Sequence, residues 1–141
     1  MKTSLWLRAA ALITAFQCIG HFIGRPWAPG HDVLSAEVVA AMKAHEMHVM
    51  GFDRSYFDFY VGFGMDLGVF LGAQAVLLWL LAGLAAADPK RARPAIAVFF
   101  AANLAITVLN AIYLFTAPLV MTGMVALCLG VALVLSIARK A

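Results

Sequence analysis

Charge is scarce in this sequence and thiols are scarcer. Charged residues make up 12% of it and apolar ones 65%, against about a quarter and about half in soluble domains, and the mean hydropathy is +0.95. The chain therefore reads as an integral membrane protein. Its two cysteines, Cys18 and Cys128, each lie inside an apolar run, which excludes a secreted disulfide framework and a Cys-x-x-Cys redox pair. Disulfide exchange with a quinone, which needs paired thiols at close range, goes with them. Nothing matches a phosphate-binding glycine loop or a nucleophile elbow, because Gly62-Phe63-Gly64 sits in an apolar run without the required strand, lysine or serine. A haem between helices needs two axial histidines on facing spans, and only His21 is plainly within one. No cofactor is expected, and there is neither a long repeat nor a low-complexity tract.

What is present is a series of long apolar runs. At about 20 residues per crossing of a roughly 30 Å hydrocarbon core, 141 residues hold one membrane domain and no separate soluble one. The first span is expected at about 5–24, after Lys2 and with Arg8 snorkelling to the interface. Ala15-Phe16-Gln17 lacks the small residues of a processing site, so the run is expected to be retained rather than cleaved as a signal peptide. Residues 25–56 are more polar. Pro26, Pro29 and Gly30 break the helix there, and Ser35 is an N-cap candidate ahead of Glu37. Val38, Val39, Met42, His45, Met47 or Val49, and Met50 recur at spacings of three to four, which predicts a short amphipathic helix over 36–50. A second span is expected at about 57–87, followed by a polar connection from Asp88 to Pro94. No charge appears from Ala95 to Ala138, yet a single helix of that length would be about 66 Å long. A break at Pro118 gives spans at about 95–115 and 118–138. The expected fold is an all-α four-transmembrane-helix bundle with a short amphipathic external helix.

Basic residues orient the bundle. Lys2, Arg8, Lys90, Arg91, Arg93, Arg139 and Lys140 fall on one side, which places both termini in the cytoplasm and residues 25–56 outside. Seven of the ten basic residues lie in these clusters, so the net charge of +3 reads as a topology signal and no nucleic-acid partner is expected.

Gly-His-Phe at 20–22, Ala-Met-Lys at 41–43, Gly51, Arg54-Ser55, Asp58-Phe59-Tyr60 and Gly62-Phe63-Gly64 together resemble a small bacterial family of four-helix integral membrane proteins known by a locus-style name. The resemblance covers most of the chain. It implies the fold and the inner (plasma) membrane of a bacterium, and it carries no activity.

An aspartate at the centre of a span costs about 2.5–3.5 kcal/mol, so polar residues within the runs need an account. Counting about twenty residues back from Asp88 leaves the first two turns of the 57–87 run, with Asp58, protruding; beyond them Asp66 is the one acidic residue, near the external interface, and shares a helix face with Phe59, Gly62, Phe70 and Ala73. Gly64, Gly68 and Gly72 form a small-residue ridge on the other side, suited to close helix packing or to a homodimer. Gln17 and His21 share one face of the first helix, and Asn103, Thr107 and Asn110 form a polar stripe on the third. His21, Asp66 and Asn110 are all expected in the external half. They either hydrogen-bond across helices or line a pocket in which Asp66 and His21 hold a polar head or exchange a proton. Tyr113 and Arg54 are further ligand candidates, Arg54 through bidentate contact with a phosphate or carboxylate. Asp53 or Ser55 is the expected cap of the second span, and Asp58 is expected to complement its positive N-terminal end. His45 and His48, at i and i+3, are the weak candidates for a metal, with Asp32, His31 or Asp53 as third ligand. The metalloprotease spacing is absent and no metal is expected.

The expected function is non-catalytic: binding of a lipid-like or lipophilic molecule, or of a partner membrane protein, through the external half of the bundle. The alternative is a small intramembrane acid–base enzyme, isomerase-like, acting on a lipid through Asp66 and His21 as catalytic candidates. Membrane lipids and a homo-oligomer or partner membrane protein are the expected partners. The helix carrying Met42, His45, Met47, His48 and Met50 is expected to close over Asp66 and His21, because its apolar stripe would otherwise face water.

Overall fold

The computed structural model describes residues 2–25, 27–28 and 32–138. Pro26, Pro29, Gly30, His31, Arg139 and Lys140, invoked above as helix breakers, a third ligand and topology signals, lie outside the described residues. In chain order the elements are α1 (Lys2–Gly24), α2 (Val33–Ala44), β1 (Glu46–Val49), β2 (Phe52–Ser55), α3 (Tyr56–Ala87), α4 (Pro89–Tyr113) and α5 (Thr116–Ala138). Four of the helices, α1, α3, α4 and α5, are long and apolar enough to cross a membrane. The chain forms two compact units, Met1–Ile19 with Leu71–Ala141, and Gly20–Phe70.

In the first unit a single buried cluster draws on all four long helices. It comprises Leu7, Ala10 and Ala11 of α1, Leu78, Leu81, Ala82 and Ala85 of α3, Ala92 and Ile96 of α4, and Val125, Cys128, Leu129 and Ala132 of α5. Alanine recurs in every helix of this set, and small side chains let helix backbones approach closely. Helices α4 and α5 form an antiparallel hairpin with only Leu114 and Phe115 between them. Along it Asn110 meets Thr122, the Phe100 ring lies against Gly130, and Arg93 reaches Ser136. Pro118 lies within the first turn of α5, where its missing N–H leaves no bond unmade, so the break falls just before it.

The start of α4 departs from expectation. A helix beginning at 95 after a polar connection is replaced by one beginning at Pro89, with Asp88 alone joining it to α3. The Asp88 carboxylate accepts from the Lys90 and Arg91 N–H groups at 3.0 and 3.1 Å, and Pro89 supplies a pre-set φ at the first helical position. That combination outweighs the single hydrogen bond that Pro94 removes within the helix. Arg93 then donates from Nη2 to the Ser136 carbonyl at 2.6 Å, one of the carbonyls left without a partner in the last turn of α5.

In the second unit the predicted helix over 36–50 is corrected. It starts earlier, at Val33, because Asp32 rather than Ser35 is the cap. Asp32 Oδ1 accepts the Ser35 N–H at 2.8 Å and Oδ2 accepts the Ser35 hydroxyl at 2.6 Å, and these bonds hold the Asp32 carboxyl below its usual range. It also ends early, at Ala44, where His45 turns to extended backbone. Residues 46–55 instead form an antiparallel hairpin in the register Glu46↔Ser55, Met47↔Arg54, His48↔Asp53 and Val49↔Phe52. The turn residues Met50 and Gly51 both have positive φ, 51° and 88°, as a tight two-residue hairpin of type I′ requires. Ser55 then opens α3 with a capping box. Its hydroxyl accepts the Asp58 N–H at 3.2 Å while Asp58 Oδ2 accepts the Ser55 N–H at 2.8 Å.

Candidate functional site

Of the candidates singled out in the sequence, His21 lies in the second unit where the last turns of α1 face the first turns of α3. His21 Nε2 donates to the Gly64 carbonyl at 2.7 Å, which places the proton of a neutral ring on Nε2. Around it Phe22 and Trp27 complete a triangle of edge-on rings, with centroids 5.8 Å (His21–Phe22), 5.4 Å (His21–Trp27) and 6.1 Å (Phe22–Trp27) apart. Trp27 covers Gly64 so closely that a Cβ there would be 2.7 Å from its ring, and the Phe22 ring occupies the same space over Gly68. In the first unit, Cys18 Sγ lies 3.6 Å from the position a Cβ would take on Gly72. Each ridge glycine is thus met by a side chain of this same protein. A side chain at 64 or 68 would force the ring that lies over it to move.

Asp66 stands apart from this cluster. Two residues beyond Gly64, it is rotated about 200° around the helix, and no hydrogen bond or ion pair joins it to His21. It is exposed and has no hydrogen-bond or ion-pair partner among the described residues. Its neighbours along the helix, Phe63 and Phe70, are 70% and 71% exposed. The expected closure over Asp66 is not formed: α2 has no buried residue, Asp66 remains exposed, and Met50 is 94% exposed. The stripe meant to close over it is divided between a helix and a hairpin, whose side-chain periods differ.

Gln17 is half-buried on α1. Asn110 is buried and donates from Nδ2 to Thr122 Oγ1 at 3.1 Å and to the Pro118 carbonyl at 3.3 Å, so its amide is used within the α4–α5 hairpin. Tyr113, at the end of α4, is 76% exposed. Arg54 donates from Nη1 to the Asp53 carbonyl at 2.7 Å and lies over the Phe52 ring at 5.4 Å, leaving most of its donors open. His45 and His48 are not helical neighbours as expected. His45 stacks on Tyr56 at 5.1 Å, while His48 Nδ1 pairs with Asp53 Oδ1 at 2.7 Å. Among the described residues no group of three or more His, Cys, Asp or Glu side chains is placed to hold a metal.

Several working residues escaped sequence reasoning. Trp27 lies in a segment without periodicity. Gln74 donates to Asn103 Oδ1 at 3.1 Å, and Asn103 in turn donates to the Phe99 carbonyl at 2.8 Å. The signal for that pair was an isolated amide in each of two apolar runs, of which only Asn103 stood in a visible stripe. Comparison of the chain with protein-family models, curated proteins and solved structures finds no significant match, so a functional reading rests on the residues themselves.

Proposed function

We propose that this chain is a non-catalytic, multi-pass membrane protein of the bacterial inner membrane that binds a partner membrane protein, or a lipid-like molecule, through the first turns of α3. The observation that supports this reading is Asp66, an exposed carboxylate with no hydrogen-bond or ion-pair partner among the described residues, on a helix where Phe63 and Phe70 beside it are large, apolar and exposed. A charge in or beside hydrocarbon favours a donor supplied from outside the chain. A partner helix with a cationic or amide side chain meets that need, as does a lipid headgroup bearing an amine. The acid–base alternative is less well supported, because His21 Nε2 is already committed to the Gly64 carbonyl and is not hydrogen-bonded to Asp66.

A photo-reactive phenylalanine analogue at Phe70, irradiated in native membranes, is expected to yield a discrete adduct that mass spectrometry resolves as protein or lipid. Asp66→Asn should weaken its capture by roughly ten- to a hundredfold, the equivalent of about 1.5–3 kcal/mol for a hydrogen bond to a charged group. Random bulk-phospholipid adducts that persist unchanged in the Asp66→Asn protein would overturn the reading. For orientation, with both termini in the cytoplasm, Lys43→Cys and Lys90→Cys are expected to react with a membrane-impermeant maleimide from opposite sides. Reaction of both from one side would reverse the assignment.

A further inference from the structure

The β1–β2 hairpin has two chemically different faces. The pairs Met47↔Arg54 and Val49↔Phe52 alternate along it with Glu46↔Ser55 and His48↔Asp53, so apolar groups and the arginine lie on one face and the acids and imidazole on the other. The Arg54 guanidinium lies over the Phe52 ring, and His48 pairs with Asp53. The apolar face continues into the turn. Phe52 is 62% exposed, Val49 39% and Met50 94%.

Met50 is an unusual choice for that turn. At φ 51° a non-glycine residue bears a steric penalty that Asn, Asp or Gly lessen or avoid. Methionine offers no local hydrogen bond in return, and its side chain is too exposed to be held by packing within the chain. The hairpin is also joined to α3 without a linker, since Ser55 ends β2 and caps the helix. Tyr56 and Tyr60 follow at once, and tyrosine collects at a membrane–water interface.

We propose that the Val49–Phe52 tip is a wedge that enters the phospholipid interface, with Met50 and Phe52 at the acyl boundary and Arg54 on a lipid phosphate. Segregation of Glu46 and Asp53 to the opposite face favours lipid over a mixed-charge protein surface, because it keeps carboxylates away from the phosphate layer. The proposal rests on the membrane reading above, and its test separates the two.

Nitroxide labels are placed singly at Met50→Cys, Phe52→Cys, Asp53→Cys and Val98→Cys, in a Cys18→Ala, Cys128→Ala background reconstituted into phosphatidylglycerol–phosphatidylcholine nanodiscs. Collision with oxygen and with a water-soluble nickel chelate is then measured. Val98, 69% exposed on α4, reports whether that helix is in hydrocarbon. The expected result is oxygen-favoured relaxation at Val98, Met50 and Phe52, with nickel-favoured relaxation at Asp53. Arg54→Gln should shift the Met50 label toward nickel, and an unchanged ratio would remove Arg54 from the wedge. Nickel-favoured relaxation at Met50 and Phe52 while Val98 stays in lipid overturns the wedge alone. Immobilised tip labels shielded from both reagents also overturn it, in favour of a protein contact. A water-exposed Val98 label overturns the membrane reading beneath it.

Discussion

Leu129→Ala is expected to lower the stability of the protein by about 2 kcal/mol, measured as a reduced melting midpoint in nanodiscs against the parent protein. Leu129 is fully buried in the cluster that also contains Leu7, Leu78 and Ile96. In water-soluble cores such truncations cost about 2–5 kcal/mol, as the sum of a transfer contribution and a cavity contribution. On the membrane reading the transfer contribution is largely absent, because helices that separate in a bilayer remain in hydrocarbon as apolar as leucine itself. What is left is the loss of dispersion contacts around the cavity, which puts the cost at the lower end of that range. Leu127→Ala, at a side chain that is 65% exposed on the same helix, should leave the midpoint nearly unchanged. Equal losses at the two positions would show that the cluster is not the packed core of the folded protein.

Asn103→Leu should be of comparable size, with a different physical origin. Asn103 is 2% exposed, and its amide joins the Gln74 side chain of α3 to the Phe99 carbonyl of α4. Removing it leaves the Gln74 amide without its partner, at a cost of about 1–3 kcal/mol for a desolvated donor. Replacing both partners with leucine should cost less than the sum of the two single changes, since no polar group then lacks its partner. Thermal midpoints of the two single variants and of Gln74→Leu/Asn103→Leu form a double-mutant cycle. On the membrane reading, a coupling of about 0.6 kcal/mol, rising to about 1.7, is expected for a hydrogen bond between helices. Strict additivity would mean that the two amides do not act as a pair.

The residues proposed as a site divide along the same physical line. Asn110 and His21 are satisfied inside the chain by Thr122, the Pro118 carbonyl and the Gly64 carbonyl. Asp66 has no such partner among the described residues, and for that reason carries the functional reading. An isolated polar residue in an apolar run signals in sequence that it needs a partner, but does not say which one. His21 reaches the Gly64 carbonyl where Gly64 and Gly68 let the Trp27 and Phe22 rings sit directly on α3, a fact of packing rather than of spacing.

Sequence by itself determined the long helices. A helix satisfies its own backbone hydrogen bonds within the segment, so length, apolarity and a few local caps specify it without reference to the rest of the chain. Leu5–Gly24, Phe57–Ala87 and the folding-back of Ala95–Ala138 were legible on those grounds. Tertiary structure decided whatever depended on a distant or competing partner. Met42, His45 and Met47 through Met50 mimic a helical period, yet residues 46–49 are extended because 52–55 is available to pair with them through a turn that Gly51 permits. Asp32 displaces Ser35 as cap by taking both Ser35 donors, and Asp88 with Pro89 starts α4 ahead of Pro94. Trp27 on Gly64, Gln74 on Asn103 and Arg93 on Ser136 join residues far apart in the chain. Such contacts leave no periodic trace, because their energy exists only once the helices have been brought side by side.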